Sequence, residues 1–246
     1  MAHTFGTAST RTSSTSNPIT TAGFTLAATD TVLALILKVN GGTNRTGGEP
    51  SINGVVFSQA NSTQKAAASP EASCELWYLL NPYKLFPPGS YAVTIPNSGG
   101  LTVFYTLATG RAAAGGSSAF DGANGSNGTS TNPTPNSITT TTDGDIGFAV
   151  FCSGATDADP ATPSGTGFGT GTGTPLGTFD DGQHGGGQQY HLQATPGAFT
   201  LGWTFGTSED WGCVAAYFYE IPPLNLNNFH SVKVSGSDMF VTEHLR

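Results

Sequence analysis

The stretch that decides the fold is residues 74–80, Cys-Glu-Leu-Trp-Tyr-Leu-Leu. Its side chains follow a period of two, which is the period of an extended strand, whereas a helix would need 3.6. One face of such a strand carries Cys74, Leu76, Tyr78 and Leu80, and the other carries Glu75, Trp77 and Leu79. The stretch therefore predicts a β-strand.

The same alternation recurs on both sides of this stretch. It appears in residues 91–95, 101–107, 146–152, 190–194, 199–205 and 214–218. Residues 32–39 are instead apolar on both faces, which is typical of a central strand covered on both sides. Clusters of Gly, Asn and Pro separate these segments and favour turns, as at Pro87-Pro88-Gly89. The sequence predicts an all-β, two-sheet antiparallel sandwich.

Three further segments depart from this pattern. The best helix candidate, residues 62–73, is short and contains Pro70. Residues 110–136 and 154–187 consist mostly of Gly, Ser, Thr, Asn and Pro. Because such a composition buries too little apolar area to offset the entropy of ordering, we expect both to be long loops projecting from the scaffold.

The two ends of the chain also differ from the middle. Residues 1–19 are rich in Thr and Ser and predict an N-terminal arm, residues 20–222 predict the sandwich, and residues 223–246 predict a C-terminal arm. The candidate assembly residues of the C-terminal arm are Val232, Val234, Met239, Phe240 and Val241. This arm is too short to form its own core, so it either packs on the parent domain or adds a strand to a neighbour's sheet edge.

Composition and charge narrow the classes of function. Of the 246 residues 37% are hydrophobic and only 10% are charged, with a net charge of -8. The sequence has no basic cluster, which argues against direct nucleic-acid binding. It also shows no signal peptide and no apolar run of the roughly 20 residues that a membrane span requires. We therefore expect a product made in the cytoplasm, without a membrane partner.

The residues that could carry chemistry are scattered. The five histidines form no metal-binding motif, and no nucleophile elbow is present. Cys74, Cys152 and Cys213 are expected to be buried thiols, with one disulfide plus a free thiol as the other interpretation. The Asp143-Gly144-Asp145 cluster would suit calcium but lacks the continuation of a calcium loop, so solvated turn carboxylates are expected. The sequence predicts no enzyme, no cofactor and no metal.

Aromatic residues near the last strands are the candidate ligand contacts. Tyr190, Trp203 and Trp211 lie among polar residues, as rings that stack on sugars do. Trp203 is also in phase with Leu201 and Phe205, which favours a place in the core, and Trp211 would then cap a turn. The two interpretations stay open at the level of sequence.

Four stretches resemble a known family. They are residues 28–35 (Ala-Thr-Asp-Thr-Val-Leu-Ala-Leu), 50–54 (Pro-Ser-Ile-Asn-Gly), 75–82 (Glu-Leu-Trp-Tyr-Leu-Leu-Asn-Pro) and 144–150 (Gly-Asp-Ile-Gly-Phe-Ala-Val). Over about residues 20–222 the chain resembles the Gly- and Thr-rich jelly-roll, or concanavalin-like, sandwiches of tailed-phage virion proteins and bacterial surface proteins. The resemblance implies a jelly-roll sandwich with arms at both ends and supplies no catalytic residue. The long Gly-rich segments depart from the family pattern.

Three functions follow as hypotheses. The first is a structural virion protein, a bacteriophage capsid decoration or cement protein that binds the major capsid protein or other virion subunits as a homo-oligomer, for which a trimer would suit threefold shell positions. The second is a carbohydrate- or receptor-binding domain of a tail fibre or adhesin, with glycans as partners through Trp211 or Tyr190. The third is a subunit of a self-assembling extracellular filament joined by a donated C-terminal strand.

Overall fold

Antiparallel strand pairing dominates the computed structural model of the chain. The structure describes residues 2–41, 48–66, 71–154, 162–164, 173–180, 184–204, 208–223, 234–235 and 238–239. Within these residues every strand pairing between the long strands is antiparallel. The predicted all-β antiparallel sandwich is confirmed.

The strands of the first half of the chain are β1 (Thr4–Ala8), β2 (Thr12–Ser14), β3 (Ile19–Thr20), β4 (Phe24–Leu26), β5 (Asp30–Asn40), β6 (Ser51–Ile52), β7 (Val55–Val56), β8 (Ser58–Gln59), β9 (Gln64–Ala66), β10 (Ala72–Leu80), β11 (Gly89–Tyr91), β12 (Thr94–Ile95) and β13 (Val103–Arg111). One helical turn, α1 (Pro82–Leu85), follows β10. The strands of the second half are β14 (Ser117–Ser130), β15 (Ile138–Thr140), β16 (Ile146–Ser153), β17 (Thr162–Ser164), β18 (Thr174–Asp180), β19 (Gly185–Leu192), β20 (Gly197–Phe199), β21 (Gly202–Thr204), β22 (Glu209–Ile221), β23 (Val234–Ser235) and β24 (Asp238–Met239).

Each half of the chain builds one of the two main sheets. Sheet 1 has the order β1-β13-β5-β10-β8, with β2 also on β13 and β9 also on β10. Sheet 2 has the order β14-β22-β16-β19-β18. The chain passes from sheet 1 to sheet 2 through residues 112–116, which we call the crossover.

Side chains from the facing sides of the two sheets form the inner core. Sheet 1 contributes Val32, Ala34, Ile36, Ala72, Cys74, Leu76 and Ala108, and sheet 2 contributes Ile146, Phe148, Val150, Cys152, Val214, Ala216 and Phe218. All of these residues are fully buried. Because each Å² of apolar surface removed from water contributes about 25 cal/mol, this contact stabilises the association of the two sheets.

Both main sheets are also covered on their outer faces. The front core lies outside sheet 1, where Leu33, Leu35 and Leu37 of β5 pack against residues of β3, β4, β6 and β12. The back core lies outside sheet 2, where residues such as Phe151 and Tyr217 pack against residues of β15, β20 and β21. Strand β5 therefore has buried side chains on both faces, as its sequence predicted.

A tight hairpin joins β6 to β7 in the front layer. Its two central residues, Asn53 and Gly54, have φ values of 48° and 82°. Two successive positive φ values define a type I′ turn, whose twist matches that of the flanking strands and which favours Asn-Gly. The Asn-Gly pair is therefore sufficient to explain this turn.

The prediction of a long loop over residues 110–136 is wrong. Strand β14 occupies Ser117–Ser130 and pairs along its whole length with β22. Side-chain hydrogen bonds also connect the strand to residues 134–137. Asn124 and Ser126 donate to carbonyls of that segment, and Asn136 donates to the carbonyl of Gly125 in the strand. Although the segment buries little apolar area, this strand is ordered by its backbone ladder and by amide and hydroxyl contacts.

The other irregular segments are also partly strand. Strand β18 occupies Thr174–Asp180 and β17 occupies Thr162–Ser164, so the predicted loop over residues 154–187 is wrong at those positions; residues 155–161, 165–172 and 181–183 lie outside the described part. The helix candidate at 62–73 contains β9 and the start of β10.

The two predicted arms differ in their strand partners. Strands β1 and β2 pair with β13 of the chain's own sheet 1, and Ile19 lies in the front core. In the C-terminal arm, β23 pairs with β24, so that Val234 lies opposite Met239. Val232, Phe240 and Val241 lie outside the described residues.

Candidate functional site

The crossover, helix α1 and the end of β22 meet at one end of the sandwich, which we call the crossover end. Asn81, just before α1, has a φ of 51°. Its side-chain amide forms two hydrogen bonds with the backbone of one residue, as a paired strand residue does. Its Nδ2 donates to the Ser118 carbonyl at 3.0 Å, and its Oδ1 accepts from the Ser118 N–H at 2.8 Å. The Tyr83 hydroxyl donates to the Gly116 carbonyl at 3.0 Å. These bonds hold α1 of the first half against β14 of the second half.

Two large exposed aliphatic side chains lie in α1 and at the end of β22, and a third, Leu192, lies at the same end of sheet 2 in β19. Leu85, the last residue of α1, is 50% exposed, and Ile221, the last residue of β22, is 41% exposed. The two are linked through the crossover, because Tyr83 bonds to Gly116 and the next residue, Ser117, is the strand partner of Ile221. Ile221 lies at the point where the chain leaves β22 toward the C-terminal arm. The exposed aliphatic side chains at this end are candidate contacts for another protein.

A histidine near the N-terminus is buried behind the same end. The ring of His3 is 3% exposed, and its Nδ1 lies 3.1 Å from the Gly144 carbonyl while its Nε2 lies 2.6 Å from Ser118 Oγ. A neutral ring satisfies both contacts by donating from Nδ1 and accepting from the Ser118 hydroxyl. Burial lowers the pKa of His3, against smaller raising effects of the Gly144 carbonyl and Glu220.

This Ser-His pair does not have the geometry of a nucleophilic site. Ser118 is 2% exposed, and its Oγ also lies 2.7 Å from Thr31 Oγ1 in the interior. The partner behind the imidazole is a backbone carbonyl, where a nucleophilic triad has a carboxylate. The network instead ties the N-terminal segment to both sheets.

The candidate ligand aromatics are engaged within the fold. Trp203 has no exposed surface and packs on Phe151 with ring centroids 4.6 Å apart, so it cannot stack on a ligand from solvent. Trp211 is 7% exposed and its Nε1 donates to Ser130 Oγ at 2.9 Å. Tyr190 is half-buried and stacks on Phe5 with centroids 3.9 Å apart. The core interpretation of Trp203 fits this structure, and its candidacy as a ligand residue is withdrawn.

Asp145 is buried, contrary to the expectation of a solvated turn carboxylate. Its side chain is fully covered, and the Thr142 hydroxyl donates to its Oδ1 at 2.9 Å. Burial raises the pKa of Asp145 to about 7, and the nearby carboxyl groups of Asp121 and Asp143 act in the same direction. Asp121 in turn accepts two bonds from Thr141, which attach this turn to β14. Sequence reasoning missed the pair because 24 residues separate its members.

The three cysteines are buried thiols, as expected. Cys74 of sheet 1 donates to the Gly212 carbonyl of sheet 2 at 3.3 Å. Burial raises the pKa values of Cys74 and Cys213 above the ordinary value of a thiol. Because the thiolate is the reactive form, these two groups are protected from alkylation in the folded protein.

The chain matches nothing in three comparisons. No family model, no curated protein and no solved structure matches it. The likeness to phage and surface sandwiches therefore stays a prediction from the sequence.

Within the described ranges, no set of three or more His, Cys, Asp or Glu side chains is arranged to hold a metal ion. No helix in that part of the chain is long and apolar enough to cross a membrane.

Proposed function

We propose that this chain is a structural virion protein, a bacteriophage capsid decoration protein that binds the shell through the crossover end and the C-terminal arm. The observation that carries the proposal is the exposure of two aliphatic residues, Leu85 at the end of α1 and Ile221 at the end of β22, where that arm begins. The resemblance to virion sandwiches and the low charge of the chain support it. The partner would be the major capsid protein or another virion subunit.

The scaffold suits a protein that works by shape. Its two main sheets are buried on both faces, so the outer layers and strand ends are what a partner can contact. Each contact would be modest, because apolar burial is offset by the entropy of ordering an arm. Many copies on one shell then add their weak contacts, which is the physical basis of lattice stabilisation.

The first experiment tests shell binding. The full-length chain should co-sediment with shells of the same phage, and deletion of residues 224–246 should abolish binding while the circular dichroism and thermal transition of the sandwich are retained. Retained binding by the deletion variant would contradict the arm mechanism. Electron microscopy of the native particle should place the copies on the shell, as trimers at threefold positions; copies confined to the tail or to filaments would contradict the decoration role.

The second experiment tests the crossover end. Leu85→Asp and Ile221→Asp should each weaken shell binding about tenfold or more, because a charge in an apolar contact must be desolvated. Val56→Asp is the matched control, since Val56 is 53% exposed in the separate hairpin β6–β7. Equal losses in all three variants would count against a specific surface at the crossover end.

A further inference from the structure

A groove opens on the front side of sheet 1, near the N-terminus. One wall is the turn between β1 and β2, and the other is the segment of residues 21–25 that runs into β4. Tyr105 and Leu107 of β13 lie between the two walls. The volume of the groove is about 320 Å³. This value falls at the lower end of the roughly 300–1,000 Å³ typical of small-molecule sites.

The walls of this groove are fixed by hydroxyl groups. Ser9 pairs with Leu107 in both directions: the Ser9 N–H donates to the Leu107 carbonyl at 2.8 Å, and the Leu107 N–H donates to Ser9 Oγ at 3.0 Å. On the opposite wall the Val93 N–H donates to Thr21 Oγ1 at 2.9 Å, and the Thr21 hydroxyl donates to the Ala22 carbonyl at 3.0 Å. These two hydroxyls hold the shape of the groove.

A second set of hydroxyl-bearing residues lines the opening. They are Thr7, Thr10, Thr12, Thr25 and Tyr105. Thr10 and Thr25 are exposed, and the Thr12 hydroxyl donates to the Thr10 carbonyl at 3.4 Å. Each hydroxyl can both donate and accept a hydrogen bond. The lining also contains the apolar side chains of Phe24 and Leu107 and includes no Asp, Glu, Lys, Arg or His.

We propose that this groove binds one or two units of a neutral saccharide. A pyranose ring presents several hydroxyls that donate and accept, together with apolar C–H faces, and the groove offers both complements. The threonine methyl groups and the small exposed part of Phe24 would contact the C–H faces, while Thr7, Thr10, Thr25 and Tyr105 would bond to the sugar hydroxyls. Arg11 lies in the turn that forms one wall but is not among the lining residues, and no other cationic side chain lines the groove. A ligand with a phosphate, sulfate or carboxylate would therefore find no cationic partner inside the groove, and we expect this site to favour uncharged ligands.

This proposal is independent of the shell-binding proposal. It concerns the N-terminal segment and β4, whereas shell binding is assigned to the crossover end and the C-terminal arm. It also differs from the sugar site expected at Tyr190 and Trp211, whose rings stack or bond within the fold. The two sugar sites make opposite predictions for the same variants.

The test uses the full-length chain and an array of oligosaccharides. The array carries neutral glucose-, galactose-, mannose- and N-acetylhexosamine-terminated oligosaccharides beside their sialylated and sulfated counterparts, and hits are measured by calorimetric titration. We expect binding to at least one neutral type, with a loss of about five- to tenfold in Tyr105→Phe and in Thr25→Val, since each removes one hydroxyl. Both substitutions keep the side-chain shape, and Tyr105→Phe keeps the ring in the front core.

A matched control separates the groove from the threonine-rich surface in general. Thr139→Val removes an exposed hydroxyl of β15, on the back of the molecule, and should leave saccharide affinity unchanged. Binding to no neutral glycan would overturn the proposal. So would binding that survives Tyr105→Phe and Thr25→Val but is lost in Trp211→Ala. Tighter binding of the sialylated or sulfated glycans would equally contradict a neutral site.

Discussion

The two main sheets reach the same degree of burial with different side chains. In sheet 1 the outer face of β5 is a row of aliphatic residues, Leu33, Leu35 and Leu37. In sheet 2 the outer face pairs aromatic residues with glycines directly across the ladder: Tyr217 with Gly147, Phe151 with Gly187, and Trp211 with Gly128. Large rings thus lie over positions without a side chain, a device known to stabilise glycine in sheets. Sheet 1 should therefore be sensitive to truncation, and sheet 2 to added side chains.

The largest effect is expected from truncation in sheet 1. Leu35 is fully buried in the front core on the central strand β5. Leu35→Ala should lower the free energy of unfolding by about 2–5 kcal/mol, because it removes apolar contacts and leaves a cavity. Denaturant titration measures the change. A loss below about 1 kcal/mol would mean that the front layer collapses onto sheet 1 and that the aliphatic row is not its main support.

A smaller effect is expected from addition in sheet 2. A Cβ at Gly147 would lie 2.5 Å from Cε1 of Tyr217. Gly147→Ala should therefore cost about 1–3 kcal/mol of stability through overpacking. Gly89→Ala is the control on the sheet 1 side, since a Cβ there would meet the Tyr91 ring at an ordinary 3.6 Å. If both variants unfold at the same denaturant concentration as the parent protein, the glycine–aromatic pairing is not a packing constraint.

The third prediction concerns the pH dependence of sheet 2. Because the pKa of Asp145 is raised to about 7 in the folded state, the fold binds a proton that the unfolded chain has released above its ordinary pKa of 3.8. This group therefore makes the protein less stable as the pH rises from about 4 to 7, by on the order of 4 kcal/mol. Asp145→Asn should flatten that dependence.

Histidines act in the opposite direction and provide the control for this pH profile. Burial lowers the pKa of His191 to about 4 and also lowers that of His3. Their contribution to stability is present above the unfolded pKa of 6.5 and is lost as the pH falls below it. His191→Gln should therefore leave stability near pH 8 almost unchanged and improve relative stability near pH 5.

For the carboxyl, a pH profile of Asp145→Asn that is parallel to that of the parent protein would rule out Asp145 as the titrating group.

The smallest expected effect is a difference among the labelling rates of the three thiols, which shows whether one part of the sandwich opens before the rest. Cys74 and Cys152 lie in the inner core, and Cys213 lies in the back core. If the sandwich unfolds as one unit, an alkylating reagent should modify all three thiols at the same rate as global unfolding. Mass spectrometry after labelling in the absence of denaturant measures the three rates. Earlier labelling of Cys213 alone would show that the back layer opens while the two main sheets remain together.

The two sheets also differ in how far their sequences predicted them. In sheet 1, β10, β13 and the doubly apolar β5 were predicted from alternation and composition, whereas β1 and β2 lie in the predicted N-terminal arm and β9 lies in the predicted helix candidate. In sheet 2, β16 and β22 followed in the same way, but β14 did not, since it consists mostly of Gly, Ser and Asn. Pairing with β22 orders this strand, and the sequence of β14 itself contains no pattern that predicts a strand.

The candidate sites were less predictable than the fold. The boundary between the sandwich and the C-terminal arm near residue 222 was visible in the sequence, but the exposure of Ile221 and of Leu85 was not. Nor could the sequence show that Asp121 lies beside Asp145, or that Thr25 and Tyr105 line one groove. In each case the relevant neighbours are distant along the chain.

The sequence by itself determined that this protein is an antiparallel β-sandwich with a central strand buried on both faces. Side-chain alternation and turn residues are local properties, fixed by the pleat of the strand and by the φ values that Gly, Asn and Pro adopt. Only the tertiary structure decided which half of the chain builds which sheet, that a glycine-rich segment is a strand, and which polar groups are buried together. These outcomes depend on what lies across the ladder or across the core from a residue, and sequence neighbours carry no information about that.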